Sequence, residues 1–407
     1  MKNRYFSKIK SAFFTLVIIY FVLAAYYYIS RSDLSGGDEN LFIADLNFIK
    51  ENGWFEAIKK NISIPYMILA YPLSLFMKYY IALRLVNITL LILFFLYLIR
   101  QNLKLPKSGY IYLAFFISAS GYFYYGTNDT LFFLSLSVFL YEASKASIGK
   151  NYNLNFAISA LLIAVFTREL SLVYFPVIIL GLIIFYIKGI SFSKNTLIPV
   201  FLLTGLLLIN LPSLSTKGYL SYDRKLPPKS VTATWSQRQY LAQLKVNNKE
   251  LEFQSHPTWK ETDLYLKKYG EDSLPKSLFA GLTHDINLTV KEFFKDIFYV
   301  MIYHTRLLGL ILLSILFFPT RKYYKTQRLN LELFIPVSVS IMIFIFSLII
   351  ISFVEMRWLA PVFILSILYY SHLEKNNKIP PYLLIFNMII LSLFAGYDSY
   401  NLITKIF

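Results

Sequence analysis

The sequence predicts an all-α integral membrane protein of about eleven spanning helices, and three observations predict it. Of its 407 residues, 57% are hydrophobic and only 15% are charged, a balance far from that of soluble domains. Apolar runs of roughly 17 to 25 residues recur along the chain, each able to cross about 30 Å of hydrocarbon as a helix that satisfies its own backbone. Lys and Arg gather in short loops that fall on one side when the spans are walked in order, the signature of cytoplasmic loops. The short alternating strands of a β-barrel are absent.

The first apolar run, Ser11 to Ile29, follows Lys2, Arg4, Lys8 and Lys10 and meets no small-residue cleavage site. It therefore reads as a retained helix with a cytoplasmic N-terminus. Residues 30–80 then lie outside. Within them Ile64 to Met77 is apolar but short and interrupted by Pro65 and Pro72, so it reads as a helix in the membrane interface. Counting it as a span would invert every later loop. Leu41 to Ile49 reads as a second interfacial helix.

Spans follow near 81–99, 110–126, 128–143, 154–167, 170–187 and 196–212, which places Arg100/Lys104/Lys107, Lys145/Lys150 and Lys188/Lys194 inside. Residues 213–296 form one large outer segment containing Pro227-Pro228, Trp235 and Trp259, expected to fold as a compact lid. The last spans, near 297–318, 332–353, 358–373 and 381–401, put Arg321/Lys322/Lys325/Arg328 and Lys375/Lys378 inside. The expected organisation is an N-terminal transmembrane module (1–212), an extracytoplasmic loop domain (213–296) and C-terminal transmembrane helices (297–407).

Several function classes drop out. A net charge of +17 suggests nucleic acid, but the basic residues are dispersed over loops, so membrane lipids are the expected partner and nucleic acid is not. There is no cysteine, hence no disulfide framework or thiolate metal site. No Walker loop, dinucleotide turn or nucleophile elbow occurs in a suitable context. His256 and His284 lack metal-ligand spacing and read as surface residues.

Charged groups at the ends of apolar helices cost a few kcal/mol unless paired or facing water, so each is a candidate for function. On the outer side they are Asp38, Glu39, Arg84, Asp129, Arg168, Glu169, Glu355 and Arg357. In Ser35-Gly36-Gly37-Asp38-Glu39-Asn40, two adjacent carboxylates suit proton acceptance and sugar or metal binding; the alternative is a negatively charged helix start. Asp129, at the outer start of an apolar helix, reads equally as a cap. Arg168 and Arg357 suit forked recognition of phosphate oxygens, or else pair with Glu169 and Glu355.

In order, these motifs resemble the GT-C superfamily of polytopic glycosyltransferases, in the branch of the protein O-mannosyltransferases and the aminoarabinose transferase of lipid A. The resemblance rests on Gly37-Asp38-Glu39, Ala44, Asn52-Gly53-Trp54, Ile64-Pro65-Tyr66 and Ala82-Leu83-Arg84-Leu85. It extends to Asn128-Asp129-Thr130-Leu131-Phe132, Phe166-Thr167-Arg168 and Glu355 to Pro361. It is best over residues 1–190, and Arg168-Glu169 stands where the family has Lys-Gly.

The resemblance implies transfer of a sugar from a polyprenyl-phosphate donor to an extracytoplasmic acceptor (glycan, lipid or protein), with inversion, in a bacterial cytoplasmic membrane. Asp38 is then the expected base, Glu39 and Asp129 position substrate, and Arg84, Arg168 and Arg357 hold the donor phosphate, with Glu169 and Glu355 supporting. A divalent cation, if used, would sit on Asp38, Glu39 and Asp129. Two other classes fit less well: an O-antigen or capsule polymerase, and a lipid or solute transporter, which tends to bury charge at mid-membrane and to show inverted repeats.

Overall fold

In the computed structural model the described residues are 2–31, 37–101, 104–189, 196–222, 231–326 and 331–406. They form helices and no strand. Ser35-Gly36, Lys194, Pro227-Pro228 and Arg328, all used above, lie outside them. Among the described residues five helices are long and apolar enough to cross a membrane: Ser7–Ser30, Tyr79–Arg100, Leu197–Lys217, Leu331–Leu348 and Pro381–Ile406. A sixth is gained if the bent pair Ile286–Leu308 and Ile311–Phe318 counts as one. The protein is thus a helical membrane protein.

The chain divides into two compact units. The first, Met1–Asp223, His304–Val339 and Ala360–Phe407, is built from α1 (Lys2–Ser30), α2 (Asp38–Lys59), α3 (Ile64–Ser74), α4 (Tyr79–Arg100), α5 (Lys107–Ser120), α6 (Asp129–Ser147), α7 (Leu154–Thr167), α8 (Phe175–Lys188) and α9 (Leu197–Lys217), with later helices named below. At its centre is α6, in which every residue is buried. Three ionisable residues, Asp129, Glu142 and Lys145, lower its hydropathy, yet at about 28 Å it matches the hydrocarbon thickness. Phe42, Leu46, Tyr66, Met67, Leu83 and Leu131 pack α2, α3, α4 and α6 together. At 11 residues, or about 16 Å, α3 is too short to span.

Polar contacts gather at the two ends of this unit. At one end Glu142 accepts from Lys145 Nζ (2.8 Å), from the Asn153 N–H (2.7 Å) and from the Tyr97 hydroxyl. Lys145 Nζ also reaches Gln101 Oε1 at 2.7 Å. Ser108 donates to Glu374 at 2.7 Å, Lys375 to the Lys104 carbonyl at 2.8 Å and Tyr152 to the Gly189 carbonyl at 3.2 Å. These contacts collect the segments carrying Arg100, Lys104, Lys107, Lys150, Lys188 and Lys375, hereafter the lysine end. Lys145 itself differs from expectation: it is a buried helix residue paired with Glu142, where sequence reasoning placed a loop charge. The opposite, carboxylate end holds Glu39, Arg84, Asp129 and Arg168.

The remaining helices are α13 (Ile286–Leu308), α14 (Ile311–Thr326), α15 (Phe334–Leu348), α16 (Ala360–Lys375) and α17 (Pro381–Ile406). The expected single span over 297–318 is broken: α13 and α14 meet at a bend of 111°. Gly309 adopts φ +58°, and a Cβ there would lie 2.2 Å from Asn387 Oδ1. That same oxygen accepts the N–H of Leu310, the residue just before α14, at 2.6 Å. The break is therefore a built turn with its amide satisfied.

The second unit, Arg224–Tyr303 and Ser340–Leu359, contains α10 (Trp235–Asn247), α11 (Trp259–Tyr269) and α12 (Leu278–His284). Thr234 with Gln237 and Thr258 with Glu261 form capping boxes that start α10 and α11. Tyr240, Leu241, Leu266, Leu274 and Ile350 make its core. Arg238 lies over the Trp259 ring at 5.0 Å. So Trp259 is engaged in holding the unit together.

Two predictions follow from this frame. α1 and α17 run parallel, since Tyr20 reaches Asp398 (3.4 Å) and Arg31 donates to the Lys405 carbonyl (3.0 Å). Tags at the two termini are therefore expected on opposite faces of sealed vesicles; protease access to both from one face would refute the arrangement. In the second unit, hydrogen bonds from Thr258 hold the Glu261 carboxyl below its ordinary range, and Lys267 and Thr232 do the same for Asp263. A carboxylate whose folded pKa is depressed stabilises above its unfolded value, near 4, and that stability is lost as pH falls through the folded value. Amide exchange over 231–269 should accelerate as pH is lowered below about 4 beyond its intrinsic pH dependence, and less so in Asp263→Asn.

Candidate functional site

The carboxylate end is organised by one buried ion pair. Arg84, in the first turns of α4, donates from Nε to Glu39 Oε1 at 2.8 Å and from Nη2 to Glu39 Oε2 at 2.7 Å, a forked pair with side chains 0% and 1% exposed. Its third nitrogen, Nη1, donates to the Arg31 carbonyl at 2.6 Å and to the Ile29 carbonyl at 3.3 Å. Glu39 Oε1 also accepts the Gly126 N–H at 2.8 Å. The pair thus joins the end of α1, the start of α2, α4 and the 121–128 turn.

Local chemistry explains why each partner is there. The carboxylates of Asp38 and Glu39 occupy the first turn of α2, where the helix dipole favours negative charge; the N-cap itself is Gly37 and no side chain caps the helix. Gly126 is required by proximity, since a Cβ there would lie 2.5 Å from Leu83 Cβ and 2.6 Å from Glu39 Oε1. Asn87, one turn after Arg84, donates to the Tyr125 and Thr127 carbonyls. The turn is therefore held from both sides.

This turn presents Asp129. The capping alternative does not describe it: the N-cap of α6 is Asn128, whose side chain makes no cap and donates instead to the Thr167 carbonyl at 3.1 Å. Ser63, at the start of α3, donates to the same carbonyl at 2.9 Å. With the last carbonyl of α7 doubly satisfied, the chain leaves the helix at Arg168 in extended geometry, φ −150° and ψ 135°. Arg168 there pairs with Asp129. The Asp129 side chain is 2% exposed and that of Arg168 is 24% exposed, so the arginine is partly open while its carboxylate is sealed. Glu169 is exposed and Asp38 half-buried.

The structure therefore brings Glu39 to Arg84 and Asp129 to Arg168, and joins the two pairs through residues 126–129. Glu355 and Arg357 belong to the second unit, where they pair with each other beside a short 3-10 turn, Met356–Leu359. His256 stacks on Phe353 in that unit and lies 3.4 Å from the Ser352 hydroxyl. Among the described residues no three His, Asp or Glu side chains converge as a metal would require. Asp38, Glu39 and Asp129 do not form a ready cation site, because Glu39 and Asp129 are each turned to an arginine.

Sequence reasoning passed over three ionisable groups. Glu142 is buried beside Lys145. Asp398, 8% exposed, accepts from Arg306 Nη2 at 2.8 Å. The available signal was a carboxylate inside an otherwise apolar helix, in Tyr141-Glu142 and Tyr397-Asp398 alike. Comparison of the chain with family models, with curated proteins and with solved structures finds no match.

The buried pair yields a stability prediction. Arg84→Met leaves Glu39 charged and uncompensated, which costs about 3–5 kcal/mol, read as a lowered midpoint of denaturant unfolding in detergent. The double variant Arg84→Met/Glu39→Gln should recover part of that loss. Equal instability of the two variants would show that the pair contributes nothing beyond side-chain packing.

Proposed function

We propose that this protein is a membrane glycosyltransferase that moves a sugar from a polyprenyl-phosphate donor to an acceptor hydroxyl at the carboxylate end. The observation that carries the reading is the Asp129–Arg168 pair. A partly exposed arginine is paired with a buried carboxylate, in the same unit as exposed Glu169, the next residue of the chain, and half-buried Asp38, the neighbour of Glu39.

The chemistry needs those types. Asp38 accepts the proton of the acceptor hydroxyl as its oxygen attacks the anomeric carbon, and the bond to the donor phosphate breaks on the opposite face, giving inversion. Phosphate is a good leaving group, so its side calls for positive charge more than for an acid, and Arg168 supplies it. Arg84 and Glu39, assigned to substrate from sequence, become positioning residues in this reading, because their polar atoms are engaged with each other and with backbone. Arg357, also assigned to the donor phosphate from sequence, pairs with Glu355.

The proposed topology has eleven crossings, by α1, α4 to α9, α13 and α15 to α17, with α2 and α3 in the interface at the carboxylate end and α14 near the lysine end. Two observations support it. The parallel run of α1 and α17 requires an odd number of crossings, and the basic segments collect at one end, which the positive-inside rule makes cytoplasmic. The carboxylate end is then extracytoplasmic, where a lipid-linked donor is presented.

Purified protein in lipid, given radiolabelled polyprenyl-phosphate monosaccharides and host envelope extract, is expected to transfer label. Asp38→Asn should lower transfer by about 10²-fold or more, and Arg168→Gln by about 10²-fold, both at normal abundance. Normal transfer by Asp38→Asn rejects the base assignment. Extension only from a lipid-pyrophosphate oligosaccharide would make the protein a polymerase, and transfer from neither donor class would reject both enzymes.

A further inference from the structure

Arg306 is an arginine at hydrocarbon depth that its protein partners do not exhaust. It sits in the last turn of α13, and its Nη2 donates to Asp398 Oδ1 at 2.8 Å. The other Asp398 oxygen receives the Tyr20 hydroxyl at 3.4 Å. The carboxylate is therefore anchored by α1 and α13 together, and its side chain is 8% exposed. The guanidinium side chain, in contrast, is 48% exposed. Its Nε and Nη1 meet no protein acceptor among the described residues.

Depth follows from the register of α17. Lys405, level with Arg31 through their hydrogen bond, marks the carboxylate end. Asp398 then lies about 10 Å below that end and about 26 Å from the start of α17 at Pro381. At such depth bare N–H groups on a cation cost several kcal/mol unless an acceptor meets them. Chain direction sharpens the point. Arg306 meets Asp398 while Leu310 meets Asn387, so the chain from the last turn of α13 into the break runs antiparallel to α17. Side chains lean toward a helix's N-terminus, which tilts this guanidinium toward the head groups of the leaflet at the carboxylate end.

We propose that Arg306, oriented by Asp398, is a docking point for the phosphate of a membrane lipid in that leaflet. A guanidinium held at one nitrogen offers its remaining N–H groups in the fork geometry that matches phosphate oxygens. Asp398 keeps the site neutral, and so tolerable in lipid, when no phosphate is bound. The acyl or prenyl chain of the ligand would remain in hydrocarbon while its phosphate is drawn inward. The inference does not rest on sugar transfer, since it concerns lipid binding alone.

The test measures binding of tritiated polyprenyl phosphate to the full chain in phosphate-free maltoside micelles, with phosphatidic acid and inorganic phosphate as competitors. Wild-type protein is expected to bind, and phosphatidic acid but not inorganic phosphate to compete. Arg306→Gln should weaken binding at least tenfold, and Arg306→Lys by less. Because Arg306→Gln strands a buried carboxylate, Arg306→Gln/Asp398→Asn serves as the folded, neutral control and should also lose binding. Both variants are also measured in an Arg168→Gln background, which removes the proposed donor contact; unchanged affinity there on adding the double substitution, or no binding by the wild type, overturns the proposal. Equal competition by inorganic phosphate overturns its assignment to a lipid. Failure of the transfer assay with binding intact would sink only the enzymatic reading.

Discussion

The forked bond between Arg84 and Glu39 is the constraint on which the first unit depends. Both side chains are lost to solvent, and the Arg84 donors are spread over Glu39 and two carbonyls at the end of α1. Burying two charges incurs a desolvation cost that their attraction offsets only with excellent geometry and satisfied remaining donors. Here that condition is met, with the Gly126 amide as a further donor to the carboxylate. Such a pair gives register more than net stability. It fixes where α2 begins, how far α4 rises and where the 121–128 turn lies, and so determines where Asp129 and Arg168 meet.

The two ends of the unit use charge differently. At the lysine end Glu142 draws together α4, α6 and the turn before α7, leaving most basic residues on surrounding segments to face water or lipid phosphates. At the carboxylate end the charges are arranged in Arg–carboxylate pairs, one sealed and one partly open. The difference in exposure between Arg84 and Arg168, 0% against 24%, separates a structural role from one that can meet a ligand. Residue type alone carries no such distinction.

That contrast marks what was legible in the sequence. Apolar length and basic loops announced a helical membrane protein, and the apolar run Ile64 to Met77, interrupted by Pro65 and Pro72, forms a short helix, Ile64–Ser74. The Asp and Arg positions at the carboxylate end were found because charge beside an apolar run is conspicuous. Which arginine pairs with which carboxylate was not legible, because Glu39 and Arg84 are far apart in sequence and only packing joins them. The break at Gly309 was missed for the same reason: a lone glycine in an apolar run gains meaning from Asn387, on another helix. Asp398 and Arg306 were missed because they lie inside the predicted spans 381–401 and 297–318, and only charges at the outer ends of spans were taken as candidates.

A resting ion pair at the candidate site has a chemical consequence. Asp129 already neutralises Arg168, so in the proposed reading a donor phosphate would share the guanidinium with it or displace it. In the proposed reading sharing is chemically reasonable, because one guanidinium can bridge a carboxylate and a phosphate through different N–H groups. The pairing also holds the cation in place before substrate arrives, which avoids reorganisation when negative charge develops on the leaving phosphate. Removing Asp129 would free the arginine yet let it move. In the proposed reading, a carboxylate that weakens the field at rest would aid transfer by fixing where the field is applied, and the contacts at Thr167 and Gly126 hold the chain segments on either side of it.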